Sequence, residues 1–578
     1  MLRPVLPSLA AALLLAGCAT APAPHTAKTT TAGTTTGATT FAKGMVSAAD
    51  PRAAEAGVEM LRAGGTAADA AVAILLALNV VEPESSGIGG GGFAAVDDGQ
   101  GHVETLDGRE TAPMAATPHW FEVDGKPLTI REAIPGGRSV GVPGNVRLIQ
   151  ALHDRHGKLP WKQLFGPAIR LARDGFAITA RLHDSLDRNR TTGALTAEGR
   201  ALYYQPDGTP LPVGAVVRNP ALAAFLERLA NEGPDAFYTG ENAEAIAHAV
   251  AHAPRNPAPM AVTDLAGYRA KWRPPVCTPY RRYRVCGMGP PSSGATTVQG
   301  TLGLLERFDL SALGPNSPTA WHLMAEAERL TYADRERYLA DSDFVSVPVA
   351  GLLSRGYLAE RSRLIAPDRT MAKAEPGHPP GAQPLADTLT PDIPSTSHFV
   401  VVDRNGETVS ETSTIESAFG SGLMVSGYYL NNELTDFSLA PERDGKPVAN
   451  RVEPGKRPRS AMAPTLVYGP DGKLRLAVGA AGGATIPAQV LRVIIGVIDW
   501  KLSAQQAIDL PVMFAPGGDT LFVEKGTTLE AMVPALTALG HHDIVVREAP
   551  FKANAVEVVG GKLRGGADPR SEGVAVSE

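Results

Sequence analysis

Long apolar runs are absent from this 578-residue chain. A membrane-spanning helix needs about 20 consecutive apolar residues, and the best candidate, Ala70–Val81, is short and interrupted by Asn79. A basic excess is absent too. Lys and Arg number 54 against 60 Asp and Glu, a formal charge of −6, which leaves no electrostatic footprint for nucleic acid. Cysteine is scarce, three in all, without ligand partners at metal-binding spacing, and no His-Glu-x-x-His occurs, so no metal is expected. Apolar residues, at 44%, are ample for a large core, and the length by itself points to three or four domains.

The start of the chain stands apart. Arg3 precedes an apolar stretch from Val5 to Leu15, which marks residues 1–17 as an export signal rather than a folded element. Leu15-Ala16-Gly17-Cys18 resembles a bacterial lipobox, implying cleavage before Cys18 and its lipidation. An ordinary signal cut nearby, with Cys18 incidental, is the alternative. Ala19 in place of Asp points to the outer membrane, so the expected location is periplasmic, with membrane contact only through the lipid. Residues 18–43, rich in Thr, Ala and Pro, then read as the anchor and a disordered tether.

Three motifs invite functional readings that their surroundings refuse. Gly87-Ile88-Gly89-Gly90-Gly91-Gly92 lacks a Gly-Lys-Ser/Thr ending and runs into a strand, Phe93–Asp97, so it is no phosphate loop. Gly137-Arg138-Ser139-Val140-Gly141 matches a serine elbow, yet Pro-Gly pairs flank it where a strand and a helix are required. His153 and His156 read as part of a solvated helix face. Helices are expected over Pro51–Ala63, capped by Asp50 and stopped by Gly64-Gly65, and from Ala67 to about Leu78. From Gly144 to about Glu360 the pattern is mostly helical, and the Pro-rich residues 367–392 read as a mobile linker. Cys277 and Cys286 flank a hairpin-like segment with an even number of residues between them, which sets them opposite each other. In an exported protein they can oxidise; two buried thiols are the alternative.

The chemistry centres on Pro394-Ser395-Thr396-Ser397-His398-Phe399. Hydroxyl residues stand just before the apolar run Phe399–Val402, which ends in the turn Asp403-Arg404-Asn405-Gly406. Thr396 thus opens a buried strand. If the Ser395–Thr396 bond is cut, the new α-amine of Thr396 lies beside its own hydroxyl and can act as its base. A polar strand end is the plainer reading of these six residues alone.

Downstream come Glu411-Thr412-Ser413-Thr414-Ile415-Glu416, Phe419-Gly420-Ser421-Gly422, Leu430-Asn431-Asn432-Glu433-Leu434-Thr435-Asp436, Lys456-Arg457-Pro458-Arg459-Ser460-Ala461 and Gly479-Ala480-Ala481-Gly482-Gly483. This ordered series resembles the γ-glutamyltransferase family of N-terminal-nucleophile hydrolases over nearly all of residues 44–578. The resemblance implies an α+β fold, a four-layer αββα sandwich built from both halves of a self-cleaved precursor. The halves are a large subunit, 44–395, and a small one, 396–578, which remain a heterodimer. Thr396 is the implied nucleophile, Thr414 orients it, and the Gly482 and Gly483 N–H groups form the oxyanion hole. Arg109, in Leu106-Asp107-Gly108-Arg109-Glu110, matches the position that holds the glutamyl α-carboxylate, though a surface ion pair is the commoner fate of an Arg. Glu433 and Asp436 match the acceptors of its ammonium. No cofactor is implied, and the donors are γ-glutamyl amides such as glutathione, with water, an amino acid or a dipeptide as acceptor.

Two departures touch specificity. Glu416 replaces a usual Asn, and Ser460-Ala461 replaces a usual Ser-Ser that contacts the α-carboxylate. The segment from Phe437 to Lys456 is short and lacks Tyr, which implies a reduced lid. The alternatives are a related acylase acting on other amides, such as a glutaryl cephalosporin, and an inactive processed lipoprotein used for binding.

Overall fold

Strand Ser397–Val402 alternates its side chains between two cores, and that alternation sets the architecture. In this computed structural model, which describes residues 40–388, 395–548 and 551–578, Phe399 and Val401 pack toward helices on one side, while Val400 and Val402 face a second sheet. Cys18, the expected signal and most of the tether lie outside the described residues, as does the end of the Pro-rich segment.

The first sheet runs Val574–Ser577, Met45–Ala48, Ser397–Val402, Glu407–Thr414, Gly91–Asp98, Val103–Asp107 and Lys271–Arg273, antiparallel throughout. The second runs Lys562–Ala567, Lys552–Val559, Leu474–Ala481, Thr465–Tyr468, Tyr283–Gly287 and Val276–Tyr280. Between them lie Val400, Val402, Leu466, Tyr468, Ala477 and Val556. Helices Pro51–Arg62 and Ala67–Val81 cover the first sheet; Gly294–Leu305 and Ile486–Ile498 cover the second, with Pro318–Tyr338 packed on the former. This is the expected four-layer αββα sandwich.

Local chemistry explains the covering helices. The Asp50 carboxylate accepts from the Arg52 N–H at 2.7 Å, with Pro51 in the first turn. Thr66 and Asp69 form a reciprocal capping box before Ala67–Val81, which is buried along its whole length between the sheet and outer helices. The length had pointed to three or four domains. Instead the described residues make one body, because both sheets combine strands from before and after residue 395. Strands from residues before and after 395 alternate within the first sheet, so a cut there leaves the halves hydrogen-bonded.

Residues 367–388 differ from the mobile linker expected of them. They lack regular structure, since proline forbids it, yet they are fastened to the body. The Gly377 N–H donates to Asp334 Oδ1 at 2.7 Å and the Thr388 N–H to the Glu336 carbonyl at 2.9 Å. Among the described residues no helix is long and apolar enough to cross a membrane.

Candidate active site

Thr396 enters its strand at φ 107°, a region that a β-branched residue rarely adopts. The register Ser397↔Ser413 brings the end of the neighbouring strand alongside, and Thr396 Oγ1 donates to Thr414 Oγ1 at 3.1 Å. Thr414 Oγ1 also accepts from the Glu416 N–H at 2.8 Å. On the preceding residue, the Ser395 carbonyl accepts from the Gly482 N–H at 3.2 Å. Gly482 (φ 129°) and Gly483 (φ 57°) make the turn that leads into helix Ile486–Ile498, so backbone donors are presented near a helix N-terminus. The glycine run is explained by contact: a Cβ on Gly90 would lie 1.9 Å from the Thr414 carbonyl oxygen.

Behind the strand entrance sits a buried charged group that the sequence did not reveal. Lys552 Nζ donates to Glu82 Oε1 at 2.9 Å, to Ser85 Oγ at 3.0 Å and to the Thr396 carbonyl at 3.2 Å. Glu82 also accepts from the Ser397 hydroxyl. Burial pushes the Glu82 carboxyl up, but Lys552, Arg181 and Ser397 outweigh it and hold the group below its ordinary value. Lys552 and Arg181 act on Glu84 as well, but burial and the Glu82 charge prevail and raise it to about 7. Burial, reinforced by Arg181, lowers Lys552. His398, against which Gly479 must stay bare, is pushed by burial down to about 3 and is a neutral ring bonded to Thr412 Oγ1 at 2.8 Å.

Arg109 is fully buried rather than on the surface. Its two terminal nitrogens are taken by Glu433 and Asp436, while Nε donates to the Pro458 carbonyl at 3.2 Å and Nη2 to the Arg459 carbonyl at 3.1 Å. Carboxylate oxygens of Glu416, Glu433 and Asp436 lie within 4.8 Å of one another. Glu416 adopts φ 77°, the left-handed region that Asn tolerates better than Glu. Ser460 and Ala461 follow directly on the carbonyls that hold Arg109; both are buried, and Ser460 Oγ accepts from the Met462 N–H at 3.2 Å. One guanidinium is therefore paired with Glu433 and Asp436, with Glu416 beside those two and Glu110 at 4.0 Å.

The other sequence readings fall out plainly. Ser139 lies in a short 3-10 turn, buried, its hydroxyl donating to the carbonyls of Ile134 and Gly136, so it is no nucleophile. His153 and His156 are partly buried instead of solvated, the first against the Leu159 carbonyl and the second against Glu104. Cys277 and Cys286 are cross-strand partners and are disulfide-bonded. His322, Glu326 and His541 also cluster, but the two rings bond each other and Glu326 is held by Arg329 and the Met371 N–H. Residues 442–447 form a small hairpin, and nothing from 438 to 455 lines the cleft beside Thr396. Sequence reasoning missed Lys552 and Glu82. The run Glu82-Pro83-Glu84-Ser85-Ser86, two acids beside paired hydroxyls just before the glycine loop, is the local signal for Glu82.

Comparison with known proteins places this geometry. The family model described as gamma-glutamyltranspeptidase matches residues 53–577. The chain is 36% identical over 546 residues to a glutathione hydrolase proenzyme of Bacillus subtilis strain 168, covering 92% of this chain and 91% of that one. It is 35% identical to an acylase ACY 1 proenzyme of Pseudomonas sp. strain SE83, covering 93% of each. Among solved structures, the cephalosporin acylase from Bacillus halodurans superposes with a TM-score of 0.82 at 29% identity, over 93% of this chain and 96% of that one. The Helicobacter pylori gamma-glutamyltranspeptidase gives 0.55 at 36% identity, over 58% of this chain and 95% of that chain.

Proposed function

The chain belongs to the γ-glutamyltranspeptidase family, and on that premise we propose that it is a self-processing enzyme that moves the γ-glutamyl group of amides such as glutathione to water, an amino acid or a dipeptide. The observation that carries the donor class is the Arg109 guanidinium paired with Glu433 and Asp436, with Glu416 beside them. A glutamyl head is a zwitterion: its carboxylate can take Arg109 while its ammonium takes Glu433 and Asp436, exchanging ion pairs for ion pairs. A glutaryl head brings a carboxylate only and would leave buried acids uncompensated. The pocket therefore favours a glutamyl donor over a glutaryl one, even though acylases are among the relatives.

In this reading the Thr396 hydroxyl first attacks the Ser395 carbonyl carbon. The peptide C–N bond breaks, an ester forms on Thr396 Oγ1, and the nitrogen becomes the α-amine of Thr396. Water hydrolyses the ester, leaving chains that end at Ser395 and begin at Thr396. The freed amine then serves as base when Oγ1 attacks the γ-carbonyl of a donor, and the proton passes to the leaving amine. Thr414 orients Oγ1, while Gly482 and Gly483 N–H groups stabilise the oxyanion. Lys552 steadies the Thr396 carbonyl, keeping the new N-terminus in place. Export and lipidation at Cys18, on the strength of Leu15-Ala16-Gly17-Cys18, complete the proposal. The test is a pair of chromogenic anilides, γ-glutamyl and glutaryl, with and without an acceptor dipeptide. Turnover of the first, faster with the dipeptide, is expected; selective turnover of the second would replace this reading with an acylase.

A further inference from the structure

Ser395 and Thr396 open onto a cleft of about 540 Å³ whose charge is lopsided. Arg131, Arg181, Arg188 and Lys552 line it against a single carboxylate, Glu84. Lys552 is paired with Glu82, and burial keeps Glu84 partly protonated near neutral pH. The arginines are far less committed. Arg181 and Arg188 lie two turns apart on helix Ala180–Arg188 and so share a face. Arg181 Nε is buried without a hydrogen-bond partner, and among the described residues neither Arg181 nor Arg131 makes a hydrogen bond or a close ion pair, although the Arg181 charge acts at longer range on Glu82 and Glu84. Arg188 has only a 3.4 Å contact with the exposed Asp184.

We propose that Arg131, Arg181 and Arg188 form an anion subsite that holds a carboxylate on the amine half of the donor, the half that leaves. The inference rests on the proposed function, since it assigns the two sides of the nucleophile. The acyl head belongs to the Arg109 pocket, which is already rich in carboxylate and closed on itself. The leaving side is cationic and open. Donors whose amine is an amino acid or peptide carry a carboxylate there; simple alkyl or aryl amides do not. Three planar forks around a partly desolvated cleft are suited to such a group, and their field gathers anionic substrates at the nucleophile.

The experiment compares γ-glutamyl 3-carboxy-4-nitroanilide with its 3-carboxamido analogue, alike in size and differing in charge. Wild-type protein should prefer the carboxylate in kcat/KM by about tenfold, the low end for a charged hydrogen bond at a partly exposed site. The preference should shrink as salt is raised. Arg131→Gln with Arg188→Gln should reduce it while leaving carboxamide turnover unchanged, and adding Arg181→Gln should abolish it. A ratio near one in the wild type, or one that survives the triple variant, would overturn the subsite. If glutaryl anilides are cleaved and γ-glutamyl ones are not, the donor reading fails, and the same ratio is taken on the glutaryl pair. Calorimetric binding of the free amines, 5-amino-2-nitrobenzoate against 5-amino-2-nitrobenzamide, gives the charge preference without turnover. Equal affinity there also sinks the proposal.

Discussion

The Gly482 N–H points at the Ser395 carbonyl at 3.2 Å, which sets a backbone donor on the carbonyl of the bond proposed to be cut. Thr396, at φ 107°, carries the backbone strain on the other side of that bond. In the proposed mechanism, cleavage would release this strained linkage and free the same donor for an incoming acyl group, so that one backbone site would serve maturation and turnover in succession.

Self-cleavage is the first consequence to check. Purified protein should run as two chains, the shorter beginning at Thr396 by N-terminal sequencing, and Thr396→Ala should stay whole. Thr414→Val keeps the shape but removes the hydroxyl that Thr396 donates to, and should slow cleavage roughly ten- to a hundredfold. An intact wild type with full activity would refute the nucleophile assignment.

Glutathione affinity should rise in the double variant Glu416→Asn, Ala461→Ser. Asn suits the left-handed backbone at 416 and withdraws one of three crowded carboxylates. The Ala461→Ser change would add a hydroxyl beside the carbonyls that hold Arg109. A recovered hydrogen bond to a charged group corresponds to roughly a ten- to hundredfold lower KM, with the rate of self-cleavage unmoved. No change in KM would mean that Glu416 does not meet the donor.

Stability should depend on pH through Glu110. Burial pushes its carboxyl up to about 8: both oxygens lack hydrogen bonds, and Arg109 stands 4.0 Å away. The folded value exceeds the unfolded one, so the folded state holds the proton more tightly. That stabilisation is complete below the ordinary carboxylate value and is lost as pH rises toward 8. Glu110→Gln should flatten Tm against pH across this window and be the more stable form above it, which thermal scans in matched buffers would read. Parallel curves for variant and wild type would show that Glu110 does not titrate there.

Reduction gives a fourth test. The Cys277–Cys286 bridge closes a short loop, so Cys277→Ser with Cys286→Ser should cost no more than about 2–3 kcal/mol in chemical denaturation. A non-reduced digest of exported protein should yield the linked peptides, and free thiols would count against the bridge.

The sequence by itself determined whatever repeats locally or depends on a single backbone break. The hydroxyl cluster ahead of Phe399–Val402, the Asp50 and Gly64 limits of the first helix and the facing cysteines are periodicity, capping and turn chemistry. The ordered motifs carried the family, and with it the proposed roles of Thr396, Thr414 and the two glycines. Tertiary structure decided which charges meet. Lys552 and Glu82 are 470 positions apart, and no local pattern couples them. They touch only because Lys552–Val559 sits in the sheet stacked on the one that Thr396 enters. The local sequence of Arg109 allowed a surface ion pair beside the carboxylate-binding role that the resemblance implied, and the fold closed it on Glu433 and Asp436. The cationic cleft arises the same way, from arginines on two helices brought beside Thr396. Periodicity is written into neighbouring residues, whereas electrostatic partnership depends on strand register and layer stacking, which exist only once the whole chain has packed.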